Sequence, residues 1–485
     1  MVLSNLREFL ALLEEKGELR RIREQLSPAL EITEVSDRVM RAQGPALLFE
    51  RVKGSSIPVA TNLFGSKRRM AMALGCQDLE EIAQRIRALL DIRLPHGLVA
   101  KVLHVLPRLK ELSAFAPKIS KSGPCQEVVL QGQEVDLEKI PVLTCWPQDA
   151  GPFITLPVVI TKDPDTGVRN LGMYRMQVFD SQTTGMHWHR HKVGASHFAR
   201  KAARGERMEV AVALGGPPAV IYAATAPVPE TLEEFSFAGF LQGKAIELVR
   251  AKTVDLEVPA EAEIVLEGYV DPTEPLREEG PFGDHTGFYS LAEPYPVFHV
   301  QTITMRKDPI YPATIVGPPP KEDYWLGYAT ERIFLPLIQM VLPEVVDLHM
   351  PMEGIFHNLV FVSIRKQYPG HAYKVMHALW GQGQMMFAKV IVVVDEDVNV
   401  QDPKEAWWIA LNNMDPQRDI LLTRGPADIL DHSAPLSALG SKMGIDGTRK
   451  GPDEGVLRPW PDRIRMTDEV KARVDQLWSR LGLDV

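Results

Sequence analysis

Apolar positions near the start of the chain recur at helical spacing: Leu6, Phe9, Leu10 and Leu13 form one stripe, with Ser4 placed as a cap and Gly17 as a stop. Ala46 to Val52 and Ile57 to Phe64 are apolar runs of strand length, and residues 78 to 91 return to an amphipathic helical period. The pattern predicts a small α/β unit over residues 1–120. From about residue 125 the pattern changes to short β-rich runs separated by turn chemistry, as in Asp163-Pro-Asp-Thr-Gly, Asp180-Ser-Gln-Thr-Thr-Gly and Gly215-Gly-Pro-Pro. Such spacing predicts an antiparallel barrel or sandwich over 121–315, broken by helices near 194–204 and 231–242. Beyond about 320, the continuous runs Leu359-Val-Phe-Val-Ser-Ile and Val390-Ile-Val-Val-Val alternate with helical segments from about 370 and 403. That alternation predicts a parallel sheet covered on both faces, within a third unit over 316–485. The last segment, Met466 to Leu481, sets Val470, Val474, Leu477 and Leu481 on one helical stripe, a surface that packs on its own domain or on a neighbouring subunit. The expected fold class is α+β.

Composition narrows the function classes. The chain has 485 residues, 45% hydrophobic and 24% charged, which is ordinary for a soluble multidomain protein. A formal net charge of −9 leaves no basic footprint, so nucleic acid is not expected as a partner. The three cysteines, Cys76, Cys125 and Cys145, are too few and too dispersed for a disulfide framework or a thiolate metal site, which suits a reducing cytoplasm. No apolar run approaches the roughly 18 residues of a membrane-spanning helix, so any membrane contact is expected to be peripheral.

Residues 279 to 287, Glu-Gly-Pro-Phe-Gly-Asp-His-Thr-Gly, hold two carboxylates across an insert that neither helix nor strand tolerates. A tight loop there aims Glu279 and Asp284 into one space, where two acids push their pKa values apart; an ordinary surface turn is the alternative. In Met186-His-Trp-His-Arg-His-Lys, a strand would put His187, His189 and His191 on one face, fit to hold a metal or merely to make hydrogen bonds. Asn170-Leu-Gly-Met-Tyr-Arg175 supplies an arginine fork for a carboxylate or phosphate. Asn170 and Arg175 are an odd number of positions apart, so they face oppositely on a regular strand unless a bulge intervenes. Glu233 and Glu234 follow Pro229 at a helix start, as macrodipole partners or as oxygen ligands for Mn²⁺ or Mg²⁺ together with Asn and His. Dinucleotide and P-loop glycine motifs are absent.

Gly44-Pro-Ala-Leu-Leu-Phe-Glu, Thr144-Cys-Trp-Pro-Gln-Asp-Ala-Gly-Pro, Asn170-Leu-Gly-Met-Tyr-Arg, Glu279-Gly-Pro-Phe-Gly-Asp-His-Thr-Gly, Lys366-Gln-Tyr-Pro-Gly-His-Ala and Gly440-Ser-Lys-Met-Gly occur in this order. Together they closely resemble the UbiD family of prenylated-flavin-dependent decarboxylases, nearly end to end. The resemblance implies a central flavin-binding split β-barrel between an N-terminal α/β domain and a C-terminal α/β domain with a terminal helix. It implies reversible, non-oxidative decarboxylation of an aromatic acid through a covalent adduct with prenylated FMN. Arg175, Glu279 and Asp284 match the family's catalytic set, with Asp284 as a proton donor that must be protonated at working pH through burial or its acidic neighbour. Asn170, His191 and Glu234 match the ligands of Mn²⁺, or Mg²⁺, bridging to the cofactor phosphate. A K⁺ on backbone carbonyls around Ala223, Ala224 and Ala226 is also implied. Met173, Tyr174 and Arg175 would line the cofactor, joined by His187, Trp188, His189, Lys192 and Val193, with Lys192 offsetting phosphate charge.

The substrate expected from end-to-end similarity is 3-polyprenyl-4-hydroxybenzoate, giving 2-polyprenylphenol for ubiquinone synthesis. Family members acting on it can show Arg-Trp-Leu-Ser-His-Arg-Gly where this chain has His187-Trp-His-Arg-His-Lys-Val. A smaller aromatic or heteroaromatic acid, such as a hydroxybenzoate or protocatechuate, is therefore the alternative, and carboxylation would need the same residues. A flavin prenyltransferase is the implied partner for cofactor supply, and a homodimer or homohexamer the implied assembly. Two rivals come from other classes. A metal-dependent (β/α)₈ hydrolase would carry His-x-His near its start, ahead of eight βα units. A non-catalytic flavin-binding protein would have no need of Glu279 and Asp284 together with Arg175.

Overall fold

The computed structural model describes residues 2–90, 113–189 and 192–482. The first helix, Leu6–Glu15, buries Leu6, Phe9, Leu10 and Leu13 as its period requires. Its cap is Asn5 rather than Ser4: Asn5 Oδ1 accepts the Glu8 N–H at 2.9 Å, while Ser4 donates its own N–H back to Glu8 Oε2 at 2.7 Å. The N-terminal sheet runs Leu19–Ile22, Ala46–Phe49, Val59–Thr61 and Tyr311–Pro312, with parallel, antiparallel and parallel pairings in turn. Its last strand comes from 252 positions further along the sequence (Tyr311 pairs Val59, Pro312 pairs Ala60), tying the chain's first unit to the end of its second.

The centre is a seven-stranded antiparallel sheet in the order Thr183–Gly185, Val297–Met305, Ile264–Val270, Met208–Leu214, Pro157–Lys162 and Arg169–Gly172, with Val128–Gln131 also on Val297–Met305. The two end strands do not pair, so the sheet is split rather than closed. Both faces are dry where the central strands meet the two cores, because apolar side chains from these strands point to each side. Val158, Ile160, Ala211, Ala213 and Val265 join a core under the helices Leu6–Glu15, Pro218–Ala223 and Glu234–Gln242. Val159, Val210, Val212, Ile264 and Leu266 face the opposite core. Each of these valine, isoleucine and leucine side chains contributes about 1.5–3 kcal/mol by leaving water, so the sheet is a well-packed platform for what its edges carry.

The C-terminal sheet corrects one expectation. Leu359–Ile364, Val390–Asp395 and Leu439–Asp446 are parallel, but Val345–His349 and Ile420–Pro426 flank them antiparallel, so the sheet is mixed. It is covered on both faces as predicted: Val360, Val362, Ile391 and Val393 pack with the helix His371–Trp380, and Phe361, Val392 and Val394 with Pro403–Asn413. The terminal helix Asp468–Leu481 buries no residue.

Candidate active site

Glu279 ends the strand Arg277–Glu279 and is fully buried; the turn Gly280–Gly283 then leads to Asp284, also buried. The turn's backbone is pinned from outside. Gly280 donates its N–H to Gln177 Oε1 at 2.9 Å, Gly283 to Asp149 Oδ1 at 2.8 Å, and Ala150 to the Pro281 carbonyl at 2.9 Å. A Cβ at Gly283 would lie 2.3 Å from Trp146 Cδ1, so only glycine lets the turn approach this closely. The loop reading therefore holds, and the two acids do share one space.

Between them sits Arg175, just past the strand Arg169–Gly172. Its Nε donates to Glu279 Oε1 at 3.1 Å, one terminal nitrogen donates to Asp284 Oδ2, and the other to Ser290 Oγ at 3.1 Å. Phe282 lies under the guanidinium, 4.9 Å away. Glu279 Oε2 accepts from His187 Nδ1 at 2.5 Å, which leaves His187 Nε2 to accept from His189 Nε2, also at 2.5 Å. Burial, with the Arg175 charge nearby, pushes the His187 pKa down; burial and His187 push His189 to about 3. Both rings are neutral at ordinary pH.

Asp284 corrects the expectation of a protonated acid. Burial pushes its carboxyl up, but the Arg175 guanidinium and the hydrogen bonds from His285 outweigh burial and hold it well below the usual carboxylate range. The acidic neighbour does not raise it, because Arg175 stands between the two acids.

A second cluster lies where the strand Arg169–Gly172 meets the start of the helix Glu234–Gln242. Asn170 and Glu234 are buried, and Glu234 Oε2 accepts the Leu171 N–H at 3.0 Å. Glu234 has no salt-bridge partner among the described residues, and burial pushes its pKa up to about 7. Asn170 Nδ2 and Trp188 Nε1 are buried without hydrogen-bond partners. A Cβ on Gly194 would lie 2.8 Å from Trp188 Nε1 and 3.3 Å from Tyr174 Oη, placing these groups round the start of the helix Val193–Ala203. Lys192 caps that helix, and burial pushes its ammonium pKa down. Unpaired donors, a half-buried lysine and a helix N-terminus together suit a phosphate, and an uncompensated buried carboxylate beside an amide suits a hard divalent cation. Asn170 lies within the strand and Arg175 past its end, so the odd spacing, which counts only along a regular strand, does not decide how the two face.

The row of three histidines is met in part. His187 and His189 face each other while Trp188 turns away onto Phe198, although the stretch after Gly185 is not a strand. His191 lies outside the described residues. Met173 donates its N–H to the Ala224 carbonyl at 3.1 Å, and the Ala223 and Ala226 carbonyls accept from Ala226 at 3.1 Å and Val228 at 2.9 Å. Each of the three carbonyls keeps one lone pair for a cation. Sequence reasoning gave no role to Ser290, Gln177 or Asp149, which act on Arg175 or on the turn; Asp149 lies within the quoted Thr144-Cys-Trp-Pro-Gln-Asp motif, whereas Ser290 and Gln177 carry no local signal.

The family's domain profiles, described as the N-terminal, Rift-related and C-terminal domains of 3-octaprenyl-4-hydroxybenzoate carboxy-lyase, match residues 10–86, 118–319 and 324–447. The chain belongs to the UbiD family. An uncharacterized protein of Archaeoglobus fulgidus is 53% identical to it over 483 residues, 99% of each chain. Among solved UbiD structures, the enzyme HmfF of Pelotomaculum thermopropionicum in complex with FMN is 30% identical, with a TM-score of 0.81 over 97% of this chain and 99% of that one. The vanillic acid decarboxylase of Sedimentibacter hydroxybenzoicus in closed form is 28% identical, with a TM-score of 0.86 over 100% of both. The fold is that of a UbiD-class carboxy-lyase.

Proposed function

We propose that this UbiD protein is a prenylated-FMN-dependent decarboxylase of an aromatic acid, worked by Arg175, Glu279 and Asp284. The observation that carries the reading is the Arg175 fork held between two buried carboxylates. Burying two acids is costly without compensation, and a purely structural role would be served as well by apolar side chains. When bound, prenylated FMN supplies the electrophilic centre that draws off the electron pair left as CO₂ departs. Trp188, Tyr174, Lys192 and the helix start at Val193 would hold its phosphate, with Asn170, Glu234 and His191 holding Mn²⁺ or Mg²⁺, and K⁺ near Ala223, Ala224 and Ala226.

Arg175 orients the substrate carboxylate through the same guanidinium that Asp284 now occupies. Each hydrogen bond that Arg175 gives to the arriving carboxylate removes compensation from Asp284. Burial then dominates and raises the Asp284 pKa toward the protonated form that delivers a proton to the ring carbon. Glu279, tied to His187, keeps Arg175 anchored during that exchange.

The name of the Sedimentibacter enzyme and the family description both point to 4-hydroxybenzoates substituted at position 3. We take that class as substrate, with the 3-polyprenyl acid of ubiquinone synthesis as the first candidate and smaller hydroxybenzoates, protocatechuate or a heteroaromatic acid as the alternatives. Self-association through the terminal helix, as a dimer or hexamer, completes the proposal; an evolved HmfF is described as a dimeric form bound to prenylated FMN.

The test is to co-express the chain with a flavin prenyltransferase, identify the released cofactor by mass spectrometry, and measure CO₂ release from a panel of these acids. Prenylated FMN with turnover of a ring acid is expected. Protein that stays flavin-free and inert under those conditions would overturn the reading.

A further inference from the structure

Side chains from three distant stretches converge behind Asp284. His285 Nε2 lies 3.2 Å from His357 Nε2, and His357 Nε2 lies 3.9 Å from Asp428 Oδ2. One ligand atom from each of the three fits within 4.8 Å of the other two. Imidazoles that meet Nε2 to Nε2 share either a proton or a cation. In a tetrahedral zinc site with Zn–N of about 2.0–2.1 Å, two ring nitrogens stand roughly 3.3 Å apart, close to the spacing here.

The surrounding charge also calls for a cation. Asp284, Asp323 and Asp428 act on the His285 ring, and Asp428 and Asp431 on the His357 ring. Arg175 compensates Asp284 and Lys389 compensates Asp431. Among the described residues, neither Asp323 nor Asp428 has a lysine or arginine within salt-bridge reach. The backbone gives an independent sign. Ile355 and Phe356, immediately before His357, both take left-handed conformations, with φ of 44° and 54°. A β-branched residue rarely adopts that region, and such strain persists where a site requires it.

We propose that His285, His357 and Asp428 form a binding site for a divalent transition-metal ion, zinc being the best match, with its fourth coordination position open. The donor set is two imidazoles and one carboxylate, distinct from Asn170 and Glu234. His285 also donates Nδ1–H to Asp284 Oδ1 at 3.0 Å, so the ion, His285 and Asp284 form the carboxylate–histidine–metal arrangement that fixes a ring's tautomer and direction. The ion ties the Asp284 loop to two loops of the C-terminal domain and makes His285 a positioning residue for Asp284. Metal binding here does not rest on the decarboxylase reading; only the consequence for Asp284 does.

The test strips the full chain of metal, reloads it with Zn²⁺, desalts it and counts retained zinc by mass spectrometry. All proteins carry Glu234→Gln, to remove the other candidate cation site. The background protein should retain about one zinc per chain, and adding His357→Ala or Asp428→Asn should cut retention at least about tenfold. Equal retention in all three overturns the site. A zinc-edge anomalous map of the crystallised background protein decides the matter even if either variant fails to fold. A peak between His285, His357 and Asp428 is expected, and zinc-loaded crystals without it contradict the proposal. Neither readout involves turnover, so failure of the decarboxylase reading would leave both outcomes interpretable.

Discussion

Arg175 has a planar fork, and all three of its nitrogens are engaged: by Glu279, Asp284 and Ser290. Lysine in its place keeps the charge and loses the fork, so Arg175→Lys is expected to lower kcat/KM on the order of 10²-fold while cofactor content holds. A variant with near-normal kcat/KM would remove the fork from the account. The acids and the arginine were legible from their motifs, because turn chemistry is local. The charge state of Asp284 was not, since Arg175 stands more than a hundred positions away in the sequence and its hydrogen bonds leave no pattern there. Nor was the pairing of His285 with His357, which joins a motif residue to one in an unremarked loop.

Elements defined by hydrophobic period were read well. The stripe of Leu6–Glu15 and the doubly covered sheet followed from spacing alone, whereas the antiparallel flanks of that sheet depend on connections that spacing does not encode. The helix Glu322–Val341 hides a similar surprise. Its first residue, Glu322, is fully buried, accepting the Phe64 N–H at 2.6 Å and the Thr314 hydroxyl at 2.8 Å. Burial pushes its pKa from 4.5 up to about 7, against those two hydrogen bonds. The folded state therefore binds the proton more tightly than the unfolded chain. Its stabilising effect is fully present below about pH 4.5 and is lost as pH rises through about 7, by up to about 3 kcal/mol. Glu322→Gln should gain thermal stability relative to the parent as pH is raised from about 5 to about 8. A stability difference that is the same at both pH values would contradict the assignment.

At the scale of the whole molecule, no described helix is long and apolar enough to cross a membrane. The terminal helix leaves Val470, Val474 and Leu481 of its stripe at 42%, 37% and 53% exposure, with Leu477 partly buried, so the described part of the chain covers little of that stripe. The sequence left that choice open, because one stripe suits either neighbour. Light scattering of the full chain should report an oligomer, and removal of residues 466–485 should lower its mass without changing the thermal stability of the remainder. An unchanged mass would deny the helix any role in assembly.

The central claim is that Asp284, once Arg175 turns to the substrate, hands its proton to the carbon that CO₂ leaves. The direct measurement is decarboxylation in D₂O by protein co-expressed with a flavin prenyltransferase, with deuterium located by mass spectrometry of the product, for the parent and for Asp284→Asn. The parent should place one deuterium on the vacated ring carbon. Asp284→Asn should keep its cofactor and lose turnover by about 10²–10⁴-fold. Deuterated product formed by Asp284→Asn at the parental rate would contradict the account.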